Sequence, residues 1–166
     1  ASLIYYFPDK HALYAAVLQG LFGDLAQQYR AVLATNDPLE QRIEAVIRTW
    51  VTYVGKRPAV ARILLREAAE PAFAQGPVVA QQVAPAIAAV AGAIRDGQRT
   101  GVFKSIDPIH FIFAVVGATI FFTSATRALA PEWPFDPLSG AQLARLHDEM
   151  LAITRRLLGI DDATRP

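Results

Sequence analysis

The stretch Ser2-Leu3-Ile4-Tyr5-Tyr6-Phe7-Pro8-Asp9-Lys10-His11-Ala12-Leu13-Tyr14 leaves little choice of local structure. Pro8 disfavours helical geometry at Phe7 and has no backbone N–H to donate, so a first short helix ends there. Asp9 then stands where a carboxylate accepts from the free N–H groups of a new first turn. Beyond it Leu13, Val17, Leu18, Leu21, Leu25, Tyr29 and Val32 recur at helical spacing, while Gln19, Asp24, Gln27 and Arg30 fall largely outside. That spacing predicts one long helix from Asp9 to about Ala34. Three aromatics and a lysine sit at the corner between the two helices, a surface suited to packing, stacking and holding phosphate.

The rest of the chain is punctuated in the same way. Asp37-Pro38 reads as a cap followed by a first helical proline, opening a helix over Leu39–Lys56 that Gly55 and Pro58 stop. A shorter helix is predicted over Ala59–Glu70, with Val60, Ile63, Leu64 and Glu67 on one side and Arg66 spaced to pair with Glu70. Pro71 to Pro77 reads as a mobile loop. A helix from Pro77 towards Gly97 or Thr100 contains Pro85, which predicts a kink or break near Gln81 or Gln82. Asp107-Pro108 repeats the cap-then-proline signal ahead of Ile109–Ala130, a segment apolar nearly all round. Ser139 is placed to cap the last helix and Gly159 to stop it. One partial helix and six full ones, without a strand or repeat, make the expected fold all-α.

Composition narrows the function classes. In 166 residues, 53% are hydrophobic and 19% charged. That balance points to buried surface beyond an ordinary core, from oligomerisation or a ligand cavity. There is no cysteine, which excludes disulfide and thiol chemistry. A net charge of +1 gives no broad basic field for nucleic acid. No signal peptide is recognisable. The fully apolar part of Ile109–Ala130 is interrupted by His110, Thr119, Thr123 and Ser124 and reads as a buried helix rather than a membrane span. No nucleophile elbow, phosphate-cradling glycine loop or metal-spaced histidine pair appears, so neither catalytic residues, a metal nor a cofactor is expected. His110 and His147 read as buried, hydrogen-bonded histidines.

The pattern S-L-x-Y-Y-F-P-D-K-x-A-L resembles the recognition-helix end of the DNA-binding module in tetracycline-repressor-like (TetR-family) regulators. Two positions depart from it: Ile4 stands where a DNA-facing tyrosine is common, and His11 where an acidic residue is frequent. The resemblance implies that Ser2, Tyr5, Tyr6 and Lys10 touch DNA, mostly its backbone, and that Phe7, Leu13 and Val17 belong to the core of the small DNA-reading domain. The chain begins inside the recognition helix and so looks truncated. Residues 1–18 are expected to be the remnant of the helix-turn-helix domain with the start of a linking helix. Residues 19–166 are expected to form a helical ligand-binding and dimerisation body.

The same resemblance implies a cytoplasmic transcriptional regulator, most often a repressor. Its partners would be a double-stranded DNA operator, bound by the full-length protein only, and a small hydrophobic or amphipathic effector. A homodimer is expected through the last two helices, Ile109–Ala130 and Ala141–Leu158, with Ala114, Gly117 and Ala118 allowing close approach. Arg145, Asp148, Glu149, Arg155 and Arg156 are expected to point outward. The effector site is expected inside the body, with Trp50, Tyr53, Arg66, Glu67, Gln82, Phe111, Thr119 and Phe122 as binding residues, Phe73 as a further lining candidate, and the Pro71–Pro77 loop as entrance. Glu67 has a second reading, as a salt-bridge partner of an arginine. The rival for the whole chain is a helical lipid carrier or enzyme with no DNA role.

Overall fold

In a computed structural model, which describes residues 7–74 and 76–160, helix α2 (Leu39–Lys56) is the axle of the molecule. It packs on α1 (Lys10–Leu33), α3 (Pro58–Ala68), α5 (Ala84–Arg99), α6 (Pro108–Leu129) and α7 (Gly140–Leu158). Ile43, Val46, Ile47, Trp50, Val51, Tyr53 and Val54 are all buried, which takes α2's apolar residues out of water on more than one side. A single turn, α4 (Pro71–Ala74), stands where a loop was expected. No strand occurs among the described residues. Ser2, Tyr5, Tyr6 and the partial first helix lie outside the described residues.

The helix starts follow from the sequence, with two exceptions. The Asp9 carboxylate accepts from Ala12 N at 2.8 Å, and the Asp107 carboxylate accepts from Ile109 N and His110 N at 2.8 and 2.9 Å. Both satisfy N–H groups that have no partner within the helix. Asp37 makes no such bond: Pro38 itself occupies the cap position of α2. Ser139 caps α7 by position only, without a side-chain hydrogen bond. Gly159 stops α7 at φ 72°, a conformation that costs a glycine little.

Pro85 acts as expected, by a specific route. Its ring has no N–H and crowds the carbonyl four residues earlier, so an unbroken α-helix is disfavoured. The chain widens instead into a π-helical turn over Val79–Val83, closed by Ala84 N–H bonding to Val79 O, five residues back. The turn lies along α1 where Gly23 leaves room: a Cβ there would meet the Gln82 side chain at 3.8 Å. Gln19 of α1 also donates to Gln81 at 3.4 Å.

Several expected placements are corrected. Val17, expected in the core of the DNA-reading domain, is 44% exposed on α1, and the start of that domain lies outside the described residues. Arg155 does not point outward: its guanidinium holds the Glu44 carboxylate of α2 with two bonds of 2.7 and 3.0 Å, fixing α7 against α2. His110 is exposed, whereas His147 is half-buried with Nδ1 3.4 Å from Asp148. Helix α6 has 22 residues and mean hydropathy 1.8, enough to cross a membrane by length and composition alone. In the fold its Phe111, Ile112, Val115, Thr119, Ile120 and Thr123 are buried against neighbouring helices. The arc bearing Ile109, Phe113, Phe121 and Leu129 is left exposed.

Candidate functional site

The packing leaves a chamber of about 110 Å³, partly open to solvent, between α1, α2, the π turn, α5 and α6. Phe22, Leu25, Ala26 and Tyr29 come from α1; Val46, Ile47 and Trp50 from α2; Leu64 from α3. Gln82 and Val83 of the π turn, Ala86, Ile87 and Val90 of α5, and Phe111, Ile112, Phe113, Val115 and Val116 of α6 complete it. Each group comes from the inward face of its own segment, and six segments converge on the chamber. The widened turn before Pro85 adds the mechanical element, since a helix that departs from α geometry cannot interdigitate evenly with its neighbours.

No charged side chain lines the chamber. Three polar residues, Tyr29, Gln82 and Trp50, take part in the wall, but the surface they present to the chamber is almost wholly apolar. Burial pushes the Tyr29 hydroxyl up from its ordinary value, so it stays neutral at physiological pH. Trp50 is 3% exposed, and its Nε1–H is buried without a hydrogen-bond partner. An unmatched buried donor costs about 1–3 kcal/mol, so this atom calls for a physical reason.

Three of the eight residues expected at the site, Trp50, Gln82 and Phe111, line this chamber. The other five are placed elsewhere. Tyr53 spends its hydroxyl on Leu21 O at 2.7 Å, with the Arg57 guanidinium 4.2 Å over its ring. Thr119 is fully buried and donates back to Val115 O at 2.9 Å. Phe122 stacks on Phe135 at 6.4 Å. Arg66 and Glu67 face α1. Phe73's side chain lies outside the described residues. Reasoning from sequence favoured aromatic and polar residues, and so missed the aliphatic majority of the wall; Tyr29, on the predicted inner face of α1, was the one visible signal.

Arg66, Glu67 and Tyr14 form a cluster of their own beside the chamber. Tyr14 Oη donates to Glu67 Oε1 at 2.6 Å, and Arg66 reaches the same carboxylate oxygen at 3.3 Å. The Arg66 guanidinium also contacts the Tyr14 hydroxyl and stands 4.8 Å over its ring. Burial and the bond to Glu67 push the Tyr14 hydroxyl up, with Arg66 opposing. The salt-bridge reading of Glu67 is the one the geometry supports, with Arg66 as partner rather than the Arg66–Glu70 pair expected from spacing. The cluster ties α3, one turn beyond the chamber-lining Leu64, to the first turns of α1. Lys10 is exposed at the start of that same helix.

A second, shallower groove of about 290 Å³ opens between α2 and α7, lined by Val51, Thr52, Gly55, Lys56, Leu143, Ala144 and His147. It is larger but more open to solvent, and holds no enclosed surface for a small apolar molecule. Among the described residues no group of His, Cys, Asp and Glu side chains is placed to hold a metal ion.

No curated protein matches the chain significantly. Residues 38–153, well over half of it, match the family model described as the tetracyclin repressor-like C-terminal domain. That span takes in α2 to α6 and most of α7, including most of the chamber wall. The all-helical bundle and the match over its body agree, and the chain therefore belongs to the tetracycline-repressor-like family.

Proposed function

We propose that this chain is the effector-sensing and pairing body of a cytoplasmic, ligand-responsive DNA-binding regulator, in which an apolar small molecule releases a repressor from its operator. The carrying observation is the apolar, uncharged chamber between α1, α2, the π turn, α5 and α6. Mostly apolar concavities with a few polar groups are what small-molecule sites are made of. Helix α1, with 24 residues and therefore about 36 Å long, forms one wall and begins at Lys10, directly after the Asp9 cap. A guest that wedges α1 from the π turn would tilt a lever of that length. Two reading heads must meet half-sites about 34–36 Å apart or a multiple of this, so a small tilt suffices to lose affinity. The guest acts only through its preference for one of the two arrangements.

The body pairs with a second copy through α6 and α7. Phe113 and Phe121 stand 56% and 57% exposed on α6, and Ile153 and Leu157 are also exposed on α7. Ala114, Gly117 and Ala118, small and exposed, lie between the two phenylalanines and let a partner helix approach. Two such helices from each copy make a four-helix bundle with isologous symmetry.

Binding of the full-length protein to its own promoter, titrated with small neutral aromatics at fixed salt, tests the reading. Release of DNA accompanied by a change in Trp50 emission, read in a Trp133→Phe background, is the expected result. A releasing ligand that leaves Trp50 emission unchanged and occupies another place would refute the chamber's role. Absence of specific promoter binding by the full-length protein would refute the regulator.

A further inference from the structure

Helix α1 belongs to two cores. Its rear half enters the main one, where Leu25 is buried and Leu21, Tyr29 and Val32 pack alongside. Its front half enters a separate small cluster built on Leu18, Phe22 and Val78, against which Tyr14, Ile63 and Val83 pack. Leu64 of α3 touches both clusters. The chamber opens along the seam between them: Phe22 and Val83 line it from the small cluster, Leu25 and Val46 from the main core. The Tyr14–Glu67 bond adds to the small cluster's hold on the front of α1. The buried residues of α3, Val60 and Ala61, lie near its start, and the half that carries Ile63 and Glu67 is partly exposed.

The two glycines of α1, Gly20 and Gly23, stand where the helix passes from one core to the other. Packing does not ask for them. A Cβ on Gly20 would meet nothing within 4 Å, and one on Gly23 would only touch the Gln82 side chain, at 3.8 Å. Neither has a positive φ, unlike Gly101 and Gly159. Glycine inside a helix leaves the backbone freer than alanine does, and neighbouring small residues are where helices bend. We propose that α1 is hinged at Gly20–Gly23: its front swings with the small cluster against a fixed rear half, and a guest in the chamber biases the swing by parting the seam. The hinge needs no guest; its part in signalling rests on the chamber being the effector site. Lys10 to Gln19 measures about 15 Å, so a bend of about 10° moves the start of the helix by about 3 Å. The Gln19–Gln81 hydrogen bond to the π turn, exposed and 3.4 Å long, resists such a bend weakly.

The chain has no cysteine, so introduced cysteines place spin labels without competition. Ala16 on the front of α1 and Ala89 on α5 are both exposed, and Ala89 adjoins Val90 of the main core. Ala16→Cys and Ala89→Cys are combined in the full chain and diluted with unlabelled chain, so that each labelled pair lies in one copy. Electron–electron dipolar spectroscopy then reads the distance in the parent and in Gly20→Ala, Gly23→Ala and Gly92→Ala. The last is the control, since a Cβ on Gly92 of α5 also meets nothing within 4 Å. All three alanines should raise Tm by about 1–4 °C. Only the two on α1 should narrow the distance distribution. Benzene is the probe, because the uncharged chamber of about 110 Å³ is near the cavity of about 150 Å³ that admits it. It should shift the mean distance by about 2–3 Å in the parent and Gly92→Ala, and by less than about 1 Å in the α1 variants. Ligand-observed NMR follows its binding in each. Equal widths in all four proteins overturn the hinge and leave the chamber reading intact. Narrowing as expected, with benzene bound but no shift in the parent, overturns the coupling of guest to hinge. If benzene does not bind, the chamber reading falls, and the widths still decide the hinge. Should Gly23→Ala disturb Gln82, Gly20→Ala decides alone.

Discussion

Gly97 and Gly92 lie on the same helix, and replacing each by alanine should change stability in opposite directions. A Cβ on Gly92 would meet nothing within 4 Å. That substitution therefore keeps the ordinary advantage of alanine over glycine in a helix, about 0.5–1 kcal/mol. A Cβ on Gly97 would overlap the edge of the Phe103 ring, with ring Cγ at 2.9 Å. Phe103 is 4% exposed and belongs to the main core, and the connector is held by Val102 N and Phe103 N bonding to Gly97 O at 2.8 and 3.0 Å. The ring must either leave the core, losing about 1.5–3 kcal/mol of burial, or stay and push the connector, at a similar cost of about 1–3 kcal/mol. Subtracting the gain in helix propensity leaves Gly97→Ala about 1–2 kcal/mol less stable than the parent. The two variants should differ by about 2–3 kcal/mol, or about 4–12 °C in Tm for a chain of this size. Urea unfolding followed by helical circular dichroism, at one protein concentration, measures both. Gly97→Ala as stable as Gly92→Ala, with Phe103 still buried, would refute the reasoning.

Three further outcomes are expected. Gly117→Arg should abolish pairing without unfolding the body, because a Cβ at Gly117 meets nothing within 4 Å; sedimentation should report a monomer of unchanged helicity, and a persistent dimer would count against the α6 face. The Arg155 guanidinium, through its hydrogen bonds to Glu44, holds that carboxyl below its ordinary value of 4.5, with Arg48 adding to the effect. Since the folded value is the lower one, the pair's stabilisation is fully present above about pH 4.5 and is lost as pH falls through the folded value. Glu44→Gln should therefore flatten the acid limb of a stability–pH curve, and an unchanged limb would assign acid sensitivity elsewhere. Tyr14→Phe removes the hydroxyl that joins α1 to Glu67. If that bond transmits chamber filling to α1, the variant should bind guests as before while ligand-driven release of DNA weakens, and equal release in both proteins would show that it does not.

Much of the molecule is set by short-range pattern. The Asp9 and Asp107 caps, the Pro85 disruption, the Gly159 stop and the existence of the long helices follow from backbone groups satisfied within a few residues. The inner faces of α2 and α5 follow from spacing alone. Helix α6 marks where pattern stops helping: being apolar nearly all round, it offers no contrast from which to read the covered arc, and only its neighbours leave Phe113 and Phe121 outside. The same limit hid Arg155, whose partner Glu44 is 111 positions away, and Tyr14, which meets Glu67 across 53. The chamber depends on it most. Its wall takes aliphatic residues from six segments, and nothing local separates a side chain that fills core from one that faces a void. Periodicity reports which face of a helix avoids water. Which of those faces meet, and how closely they fill the space between them, is decided by the tertiary packing, because that depends on side-chain volumes brought together from distant parts of the chain.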